Sequence, residues 1–180
     1  MKVCLYGAGS SEIHSKYTDR AYKLGERLAK NGHSLVFGGG GTGIMGAVSK
    51  GVLDNDGKVL GIAPSWMGEY EKMCEECEFI FTDSMDERKK LFLKHSDAFV
   101  ICPGGLGTLD EFFEIIVLKK LQRHDKKIVL FNISHYYDKL IEMLNFMIAE
   151  SFIIDESDKN IFKVANKVQD VLDYLESEEE

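Results

Sequence analysis

Short apolar runs alternate with helix-like periodicity along the whole chain. Consecutive apolar residues predict buried strands, and apolar residues that recur every three or four positions predict helices. The predicted strands are residues 3–6, 34–37, 58–62, 78–81, 98–102 and 128–131. The predicted helices are residues 17–30, 43–53, 84–95, 108–122, 136–150 and 161–176. This alternation indicates βαβ units and therefore an α/β fold, with a parallel sheet flanked by helices on both faces.

The apolar strands also predict where a ligand binds. Strands that are apolar at consecutive positions are expected to be buried on both sides. In such sheets ligands bind beyond the carboxyl ends of the strands. The loops that leave those ends are residues 7–16, 38–43, 63–77 and 103–107. Residues 63–77 have the weakest pattern, which favours a lid or a pocket wall.

Composition and charge narrow the class of protein. With 180 residues, 44% of them hydrophobic, the chain is expected to form a single domain over residues 1–180, with an acidic, frayed tail at 176–180. A net charge of −8 argues against nucleic acid as a partner. There is no apolar run long enough for a membrane span. The first strand begins at once without a separate signal segment, so we expect a cytoplasmic protein with reduced thiols.

Three of the four loops are rich in glycine. They are residues 7–11, 38–46 and 103–108. Glycine lets the backbone approach a ligand closely, and amide N–H groups at the start of a helix bind anions. Each loop alone is also explained as a tight turn between a strand and a helix. Three such loops at one edge of the sheet favour a site for a phosphate.

Two other nucleotide motifs fit the sequence poorly. Gly41, Gly43 and Gly46 have the spacing of the dinucleotide fingerprint, but no acidic residue ends the next strand. The pattern therefore disfavours an NAD site. No Gly-Lys-Ser/Thr follows any glycine loop, which also disfavours ATP hydrolysis of the Walker type.

Two acids lie in the helix predicted after the third glycine loop. Thr108 and Glu111 have the spacing of a capping box, with Thr108 as the N-cap. Glu111 is also expected to face the cleft. A carboxylate repels a bound phosphate, so its presence there indicates a role on the sugar side of a nucleotide. The capping and functional interpretations both stay open, and Glu114, one turn later, is given a supporting role.

A basic group lies near the start of the preceding helix, which Ser84 and Glu87 begin as a capping box. It consists of Arg88, Lys89 and Lys90. Arginine binds phosphate or carboxylate through two parallel hydrogen bonds. Adjacent helical residues point in different directions, so at most two of these share one face. A solvated basic face is the alternative interpretation.

The cysteines give no metal site. Cys74 and Cys77 form a single Cys-x-x-Cys pair in an acidic stretch, without the second pair that a zinc site needs. We therefore predict a surface loop with two free thiols.

Three segments together resemble the Lonely Guy family, the cytokinin riboside 5′-monophosphate phosphoribohydrolases and their bacterial relatives. Residues 103–111 have the signature Pro-Gly-Gly-x-Gly-Thr-x-x-Glu. Residues 38–46 are similar to Gly-Gly-Gly-x-x-Gly-Leu-Met-Gly, with Ile44 in place of leucine. Residues 85–89 match Met-x-x-Arg-Lys. The resemblance extends over residues 3–153.

This resemblance implies a Rossmann-like fold, a homodimer and a hydrolase. The substrate is a nucleoside 5′-monophosphate, such as AMP or a cytokinin riboside 5′-monophosphate, and the products are free base and ribose 5-phosphate. Arg88 and Glu111 become the catalytic pair. Across the three loops and the basic group, the expected substrate contacts are Ser10, Gly39, Gly40, Lys89, Gly104, Gly105, Leu106, Gly107 and Thr108. The reaction requires no metal and no cofactor.

The residues also suggest how such a reaction proceeds. The bond to the base breaks through an oxocarbenium-like sugar, whose charge Glu111 stabilises while it takes a proton from water. Arg88 binds the leaving base or the substrate's phosphate and hydroxyls. Some family members were labelled lysine decarboxylases, but no lysine here has the setting that a Schiff base with pyridoxal phosphate requires.

Departures from the family pattern leave the preferred base of the substrate open, and two rival functions also stay open. Val117 and Leu118 stand where better-known members have Thr-Trp, Lys127 stands where they often have proline, and residues 64–77 match them poorly. The first rival is a non-catalytic carrier of a phosphorylated ligand such as molybdenum cofactor. The second is a nucleosidase that accepts several purine or pyrimidine monophosphates.

Overall fold

A single parallel sheet organises the residues that the structure, a computed structural model, describes: 1–150, 152 and 160–178. Within that part of the chain, the strands are β1 (Lys2–Tyr6), β2 (Ser34–Phe37), β3 (Val59–Pro64), β4 (Glu78–Thr82), β5 (Ala98–Ile101), β6 (Lys127–Phe131) and β7 (Lys163–Ala165). The helices are α1 (Ser15–Lys30), α2 (Gly43–Leu53), α3 (Met85–His95), α4 (Leu106–Lys120), α5 (Asp138–Ala149) and α6 (Val168–Glu176). The predicted α/β class is confirmed.

The order of the strands places a crevice at the centre of the sheet. The order is β4-β3-β2-β1-β5-β6-β7, and every neighbouring pair is parallel. From β1 the chain builds outward to β4 on one side, and β5 then returns to the other side of β1. The direction of winding reverses here, so the loops that follow β1 and β5 diverge and leave room for a ligand.

Each face of the sheet has its own core, because successive residues of a strand point to opposite sides. On β1, Val3 and Leu5 pack in the cluster that contains the buried residues of α1, α2 and α6. Cys4 and Tyr6 pack in the cluster that contains Phe92 of α3 and the buried residues of α4 and α5. This two-sided burial explains why the central strands are apolar at consecutive positions.

Helix α4 begins two residues before its predicted start, and the difference changes the interpretation of Glu111. Gly105 is the N-cap and makes no side-chain capping bond. Thr108 therefore lies inside the helix, and Glu111 lies about a turn beyond the first helical residues. The capping-box interpretation of Thr108 and Glu111 is wrong, because the chain enters the helix through the glycine.

The structure also corrects the C-terminal elements. The helix predicted over residues 161–176 is divided into β7 and the shorter α6. β7 has three residues that pair with β6, and so short a strand depends on its partner more than on its own sequence. Glu176 ends α6 and accepts hydrogen bonds from Asn31 and His33. Residues 179–180 of the predicted tail lie outside the described residues.

Candidate active site

A cavity of about 310 Å³ lies beyond the carboxyl ends of the central strands. Its wall combines backbone from the glycine loops with two carboxylates and one guanidinium. The lining residues are Leu5, Tyr6, Gly7, Ala8, Gly9, Ser10, Gly38, Met45, Glu71, Arg88, Gly105, Gly107, Thr108 and Glu111. The cavity is therefore at the place that the order of the strands predicts.

Backbone hydrogen bonds join the three glycine loops into one cleft. The amide of Ala8 donates to the carbonyl of Pro103 at 3.1 Å, and the amide of Ile44 donates to the carbonyl of Ala8 at 2.9 Å. The hydroxyl of Thr42 donates to the carbonyl of Gly9 at 2.5 Å. Because the first loop bonds to both others, the predicted meeting of the three loops is confirmed.

The N-terminus of α4 supplies the anion-binding end of the cleft. Gly105, Gly107 and Thr108 line the cavity at the first turn of α4, where backbone N–H groups have no partner within the helix. These groups and the helix dipole favour a negatively charged ligand. Leu106 lies in the same turn, but it is 88% exposed and does not line the cavity.

Two tyrosines hold the strand-to-helix turn that leads into α4. The hydroxyl of Tyr137 donates to the carbonyl of Cys102 at 2.7 Å, and the hydroxyl of Tyr136 donates to the carbonyl of Gly104 at 2.8 Å. An added Cβ at Gly104 would lie 2.1 Å from the hydroxyl oxygen of Thr108. The turn therefore needs glycine at this position, and it is fixed from outside the cleft.

Arg88 lies at the floor of the cavity and is 7% exposed. Its Nε donates to the carbonyl of Ile62 at 3.0 Å, and its guanidinium lies 5.0 Å from the ring centre of Phe92. These contacts hold the guanidinium from the side of β3 and α3. An added Cβ at Gly38 would lie 2.3 Å from one of its terminal nitrogens, so the second glycine loop makes room for this arginine.

Glu111 faces Arg88 across the cavity. The distance from Arg88 Nη1 to Glu111 Oε1 is 3.4 Å, and Glu111 is 9% exposed. Burial raises the pKa of the Glu111 carboxyl to about 7, although the guanidinium of Arg88 acts in the opposite direction. The carboxyl therefore exchanges a proton near neutral pH, as general acid–base catalysis requires. The predicted pair lies together.

Lys89 lies outside the cavity wall, in contrast to its predicted contact with substrate. Its Nζ lies 2.6 Å from Asp110 Oδ2 and 2.9 Å from Glu114 Oε2. These two acids on α4 raise the pKa of Lys89, Asp110 most strongly. The interaction joins α3 to α4 and holds Arg88 and Glu111 opposite each other. Glu114 has a supporting role through this ion pair.

The remaining predicted contacts divide between the cavity and the wall behind it. Ser10 lines the cavity, and its hydroxyl accepts a hydrogen bond from the amide of Glu12 at 3.3 Å. Gly39 and Gly40 are buried behind the lining residues. Gly39 has a φ of +89°, and an added Cβ there would meet Phe79 at 2.5 Å. These two glycines shape the backbone of the wall.

The structure adds Glu71, which the sequence analysis did not single out. It lies in the loop after β3, residues 65–77, and lines the cavity with Arg88 and Glu111. The weak pattern of this loop favoured a pocket wall, and that expectation is confirmed. Glu71 is one of four glutamates in the loop, and nothing in the sequence separates it from Glu69, Glu75 and Glu76.

The prediction of two free thiols in this loop is wrong. Cys74 and Cys77 form a disulfide, with their Cα atoms 5.6 Å apart. The turn brings the two side chains within the range of such a bond. The free cysteines are Cys4 and Cys102, both buried, and burial raises the pKa of both thiols.

Metal-binding groups and membrane-spanning helices are both absent from the described residues. Within 1–150, 152 and 160–178, the side chains form no group of three or more His, Cys, Asp or Glu placed to hold a metal ion. In the same part of the chain, each helix is too short or too polar to cross a membrane.

Comparison with known proteins identifies a family. The model of the family described as possible lysine decarboxylase matches residues 45–175. The cytokinin riboside 5′-monophosphate phosphoribohydrolase LOG5 of Arabidopsis thaliana is 36% identical over 177 residues, which cover 98% of this chain and 77% of that protein. LOG3 of the same plant is 38% identical over 153 residues, which cover 84% of this chain and 71% of LOG3. The corresponding probable enzyme LOGL5 of Oryza sativa subsp. japonica is 35% identical over 176 residues, which cover 97% of this chain and 71% of LOGL5.

Solved structures show a similar fold. The molybdenum cofactor binding protein of Rippkaea orientalis has a TM-score of 0.70 and 23% identity, and the match covers 97% of this chain and 93% of that one. The Moco carrier protein of Chlamydomonas reinhardtii has a TM-score of 0.71 and 20% identity, with 97% and 94% covered. At these identities the likeness concerns the fold alone, which is Rossmann-like.

The raised pKa of Glu111 predicts a dependence of stability on pH. Between about pH 4.5 and about pH 7 the folded chain holds a proton that the unfolded chain has released, so the free energy of unfolding falls as pH rises from 5 to 8. Urea unfolding at pH 5 and at pH 8 should show that the free energy of unfolding falls by about 2 kcal/mol more in the wild type than in Glu111→Gln. The same change in the free energy of unfolding with pH in the wild type and in Glu111→Gln would contradict the raised pKa.

Proposed function

The chain belongs to the family that includes the cytokinin riboside 5′-monophosphate phosphoribohydrolases, and from this premise we propose that it hydrolyses a nucleoside 5′-monophosphate. The bond cleaved is the N-glycosidic bond, and the products are free base and ribose 5-phosphate. The substrate is a cytokinin riboside 5′-monophosphate or AMP. The observation that carries the proposal is the 3.4 Å contact of Arg88 with Glu111 in a cavity that the N-terminus of α4 closes.

The cavity offers separate surfaces for the phosphate and the sugar. Free amides at Gly105, Gly107 and Thr108 provide donors for the phosphate oxygens. Glu111, about one turn further along α4, then lies on the sugar side of that phosphate. Binding the phosphate away from the broken bond holds the sugar against the carboxylate, and such remote binding energy can raise turnover.

The chemistry follows from the two buried charges. As the bond from C1′ to the base nitrogen breaks, positive charge develops on the sugar, and the ionised Glu111 stabilises it. Glu111 then accepts a proton from the water whose oxygen bonds to C1′. The departing nitrogen takes up a proton from solvent, and Glu111 returns its own proton to solvent, so one water is consumed in each cycle. Arg88 keeps a fraction of Glu111 ionised near neutral pH and donates hydrogen bonds to the substrate.

Two alternatives fit the cavity less well. Decarboxylation with pyridoxal phosphate needs a lysine for the Schiff base, and the cavity lining contains none. A carrier for a phosphorylated ligand, in the manner of the molybdenum cofactor proteins of similar fold, has no use for Glu111 and Glu71 beside an anion. Glu111, by contrast, has a use in an enzyme that acts on a ribose.

We also propose that the enzyme is a cytoplasmic homodimer without a cofactor. Nucleoside monophosphates carry a phosphate charge that keeps them inside the compartment where they are made. Apolar side chains are exposed on α4 and α5, and Val117 is 51% and Phe146 54% exposed. An exposed apolar face of this kind suits a contact between two copies of one chain.

A panel of nucleotides tests the reaction. Purified protein should release free base from AMP, isopentenyl-AMP or another monophosphate among GMP, CMP and UMP, as chromatography measures. The nucleoside adenosine should be cleaved at least about 100-fold more slowly than AMP, because it lacks the phosphate that α4 binds. Tight binding of every nucleotide without release of base would favour the carrier, and equal rates on AMP and adenosine would contradict the phosphate site.

Replacement of the carboxylate tests its role. Glu111→Gln should lower kcat by at least about 100-fold, because the amide neither accepts a proton nor stabilises the cationic sugar. Circular dichroism and thermal unfolding should show that the fold is kept. Glu78→Gln, a matched change at the exposed start of β4, should leave kcat unchanged. Full activity in Glu111→Gln would overturn the assignment.

The homodimer has its own test. Analytical ultracentrifugation should give twice the 20.3 kDa mass of the chain. Val117→Glu should give the monomer mass while the circular dichroism spectrum stays the same, because a buried charge disfavours the contact. A wild-type monomer over the whole concentration range would contradict this proposal.

A further inference from the structure

Glu71 is a third charged side chain in the cavity, and the proposed chemistry does not use it. Its Oε2 lies close to two glycine loops, since an added Cβ would be 2.7 Å away at Gly9 and 3.2 Å away at Gly40. Burial raises the pKa of Glu71, and the positive charge of Arg88 lowers it. Glu71 in turn raises the pKa of Glu111. The three side chains therefore share one electrostatic environment.

The position of Glu71 is fixed by the backbone around it. The amide of Gly41 donates to the carbonyl of Lys72 at 2.7 Å, and the amide of Cys74 donates to the carbonyl of Gly39 at 2.8 Å. On the other side, the amide of Glu71 donates to the carbonyl of Met67 at 3.2 Å. The second glycine loop thus holds the chain directly after Glu71, so the carboxylate stays at the cavity.

The carboxylate of Glu71 has no donor of its own. Among the described residues, no hydrogen bond or ion pair reaches it, although the side chain is partly buried and lines the cavity. A carboxylate that loses contact with water on ligand binding needs a donor in return. Two oxygens that face a ligand accept two O–H bonds when the ligand carries neighbouring hydroxyls.

A nucleoside 5′-monophosphate has one group of that kind. Its phosphate is an anion and is repelled by a carboxylate, and the ring nitrogens of a purine are mostly acceptors. The 2′- and 3′-hydroxyls of the ribose are two adjacent donors. We propose that Glu71 binds these two hydroxyls and is therefore the residue that selects ribonucleotides over deoxyribonucleotides.

This assignment rests on the proposed nucleotide hydrolysis and divides the work of the two carboxylates. Glu71 holds the far edge of the ribose from the glycine side of the cleft, and Glu111 acts at C1′ from α4. Arg88 lies between them and compensates part of their charge. A sugar held at both the phosphate and the hydroxyls is fixed in orientation, which lowers the entropy lost at the transition state.

Substrates that lack the hydroxyls isolate the contact. For Glu71→Ala, kcat/KM on AMP should fall by about 10- to 100-fold, the size expected when a hydrogen bond to a charged group is lost. On 2′,3′-dideoxy-AMP the same variant should stay within about threefold of the wild type, because the missing donors leave nothing to lose. Equal losses on both substrates, or no loss on AMP, would overturn the proposal.

The control variant is Glu75→Ala, which removes an exposed carboxylate from the same loop. It should leave both rates unchanged, and thermal unfolding should show both variants folded. If Glu71→Ala does not fold, Glu71→Gln replaces it and should also lose selectivity for AMP over the dideoxy nucleotide.

A binding measurement separates failure of this inference from failure of the proposed reaction. If the wild type cleaves no nucleotide, the proposed reaction has failed, and calorimetry with ribose 5-phosphate and 2-deoxyribose 5-phosphate decides the role of Glu71. Glu71→Ala should weaken binding of ribose 5-phosphate by about 10-fold or more and weaken binding of the deoxy sugar less, because that sugar keeps only the 3-hydroxyl. Equal effects on the two sugars, or no binding of either to the wild type, would overturn the assignment.

Discussion

The candidate site depends on one buried contact between opposite charges, Arg88 with Glu111. A carboxylate in this position would stay protonated without a partner, and a guanidinium would be costly to bury alone. Their contact, together with the bond from Arg88 to the carbonyl of Ile62, keeps both groups in place. The pKa of Glu111 is still raised to about 7, so burial outweighs the partner. The site therefore holds a carboxyl that can change its charge near neutral pH.

The sheet brings this pair together from the two helices on either side of β5 in the chain. α3, which carries Arg88, precedes β5, and α4, which carries Glu111, follows it. The ion pairs of Lys89 with Asp110 and Glu114 join the two helices outside the cavity. Because β5 lies beside β1 at the point where the winding of the sheet reverses, the first turn of α4 faces the glycine loops. The fold thus places anion donors and the carboxylate on one helix.

Helices and strands could be predicted from the sequence wherever the signal for them is local. The start of α3 is an example, because Ser84 accepts a hydrogen bond from the amide of Glu87. The start of α4 was misplaced because Gly105 caps the helix without a side chain, so its sequence carries no capping signal. β7 was missed because three residues become a strand only through pairing with β6.

In the candidate site, too, some features have a local signal in the sequence and others do not. Glycine loops and a Met-x-x-Arg-Lys segment are visible in the sequence, and the family that they resemble implies the pair of Arg88 and Glu111. Glu71 could not be chosen among its neighbours, because its place depends on the backbone hydrogen bonds of Lys72 and Cys74 with the second glycine loop. The disulfide of Cys74 with Cys77 likewise depends on a turn that the residue pattern does not specify.

The attachment of the loop at residues 65–77 has a consequence for evolution. This loop follows β3 and borders the edge strand β4, whereas Arg88 and Glu111 are held by elements near the centre of the sheet. Its hydrogen bonds to the second glycine loop are made by backbone atoms, which do not depend on side-chain identity. Substitutions in this loop can therefore alter the rim of the cleft while the reacting groups stay in place. A family built in this way can acquire new substrate preferences by drift in a single segment.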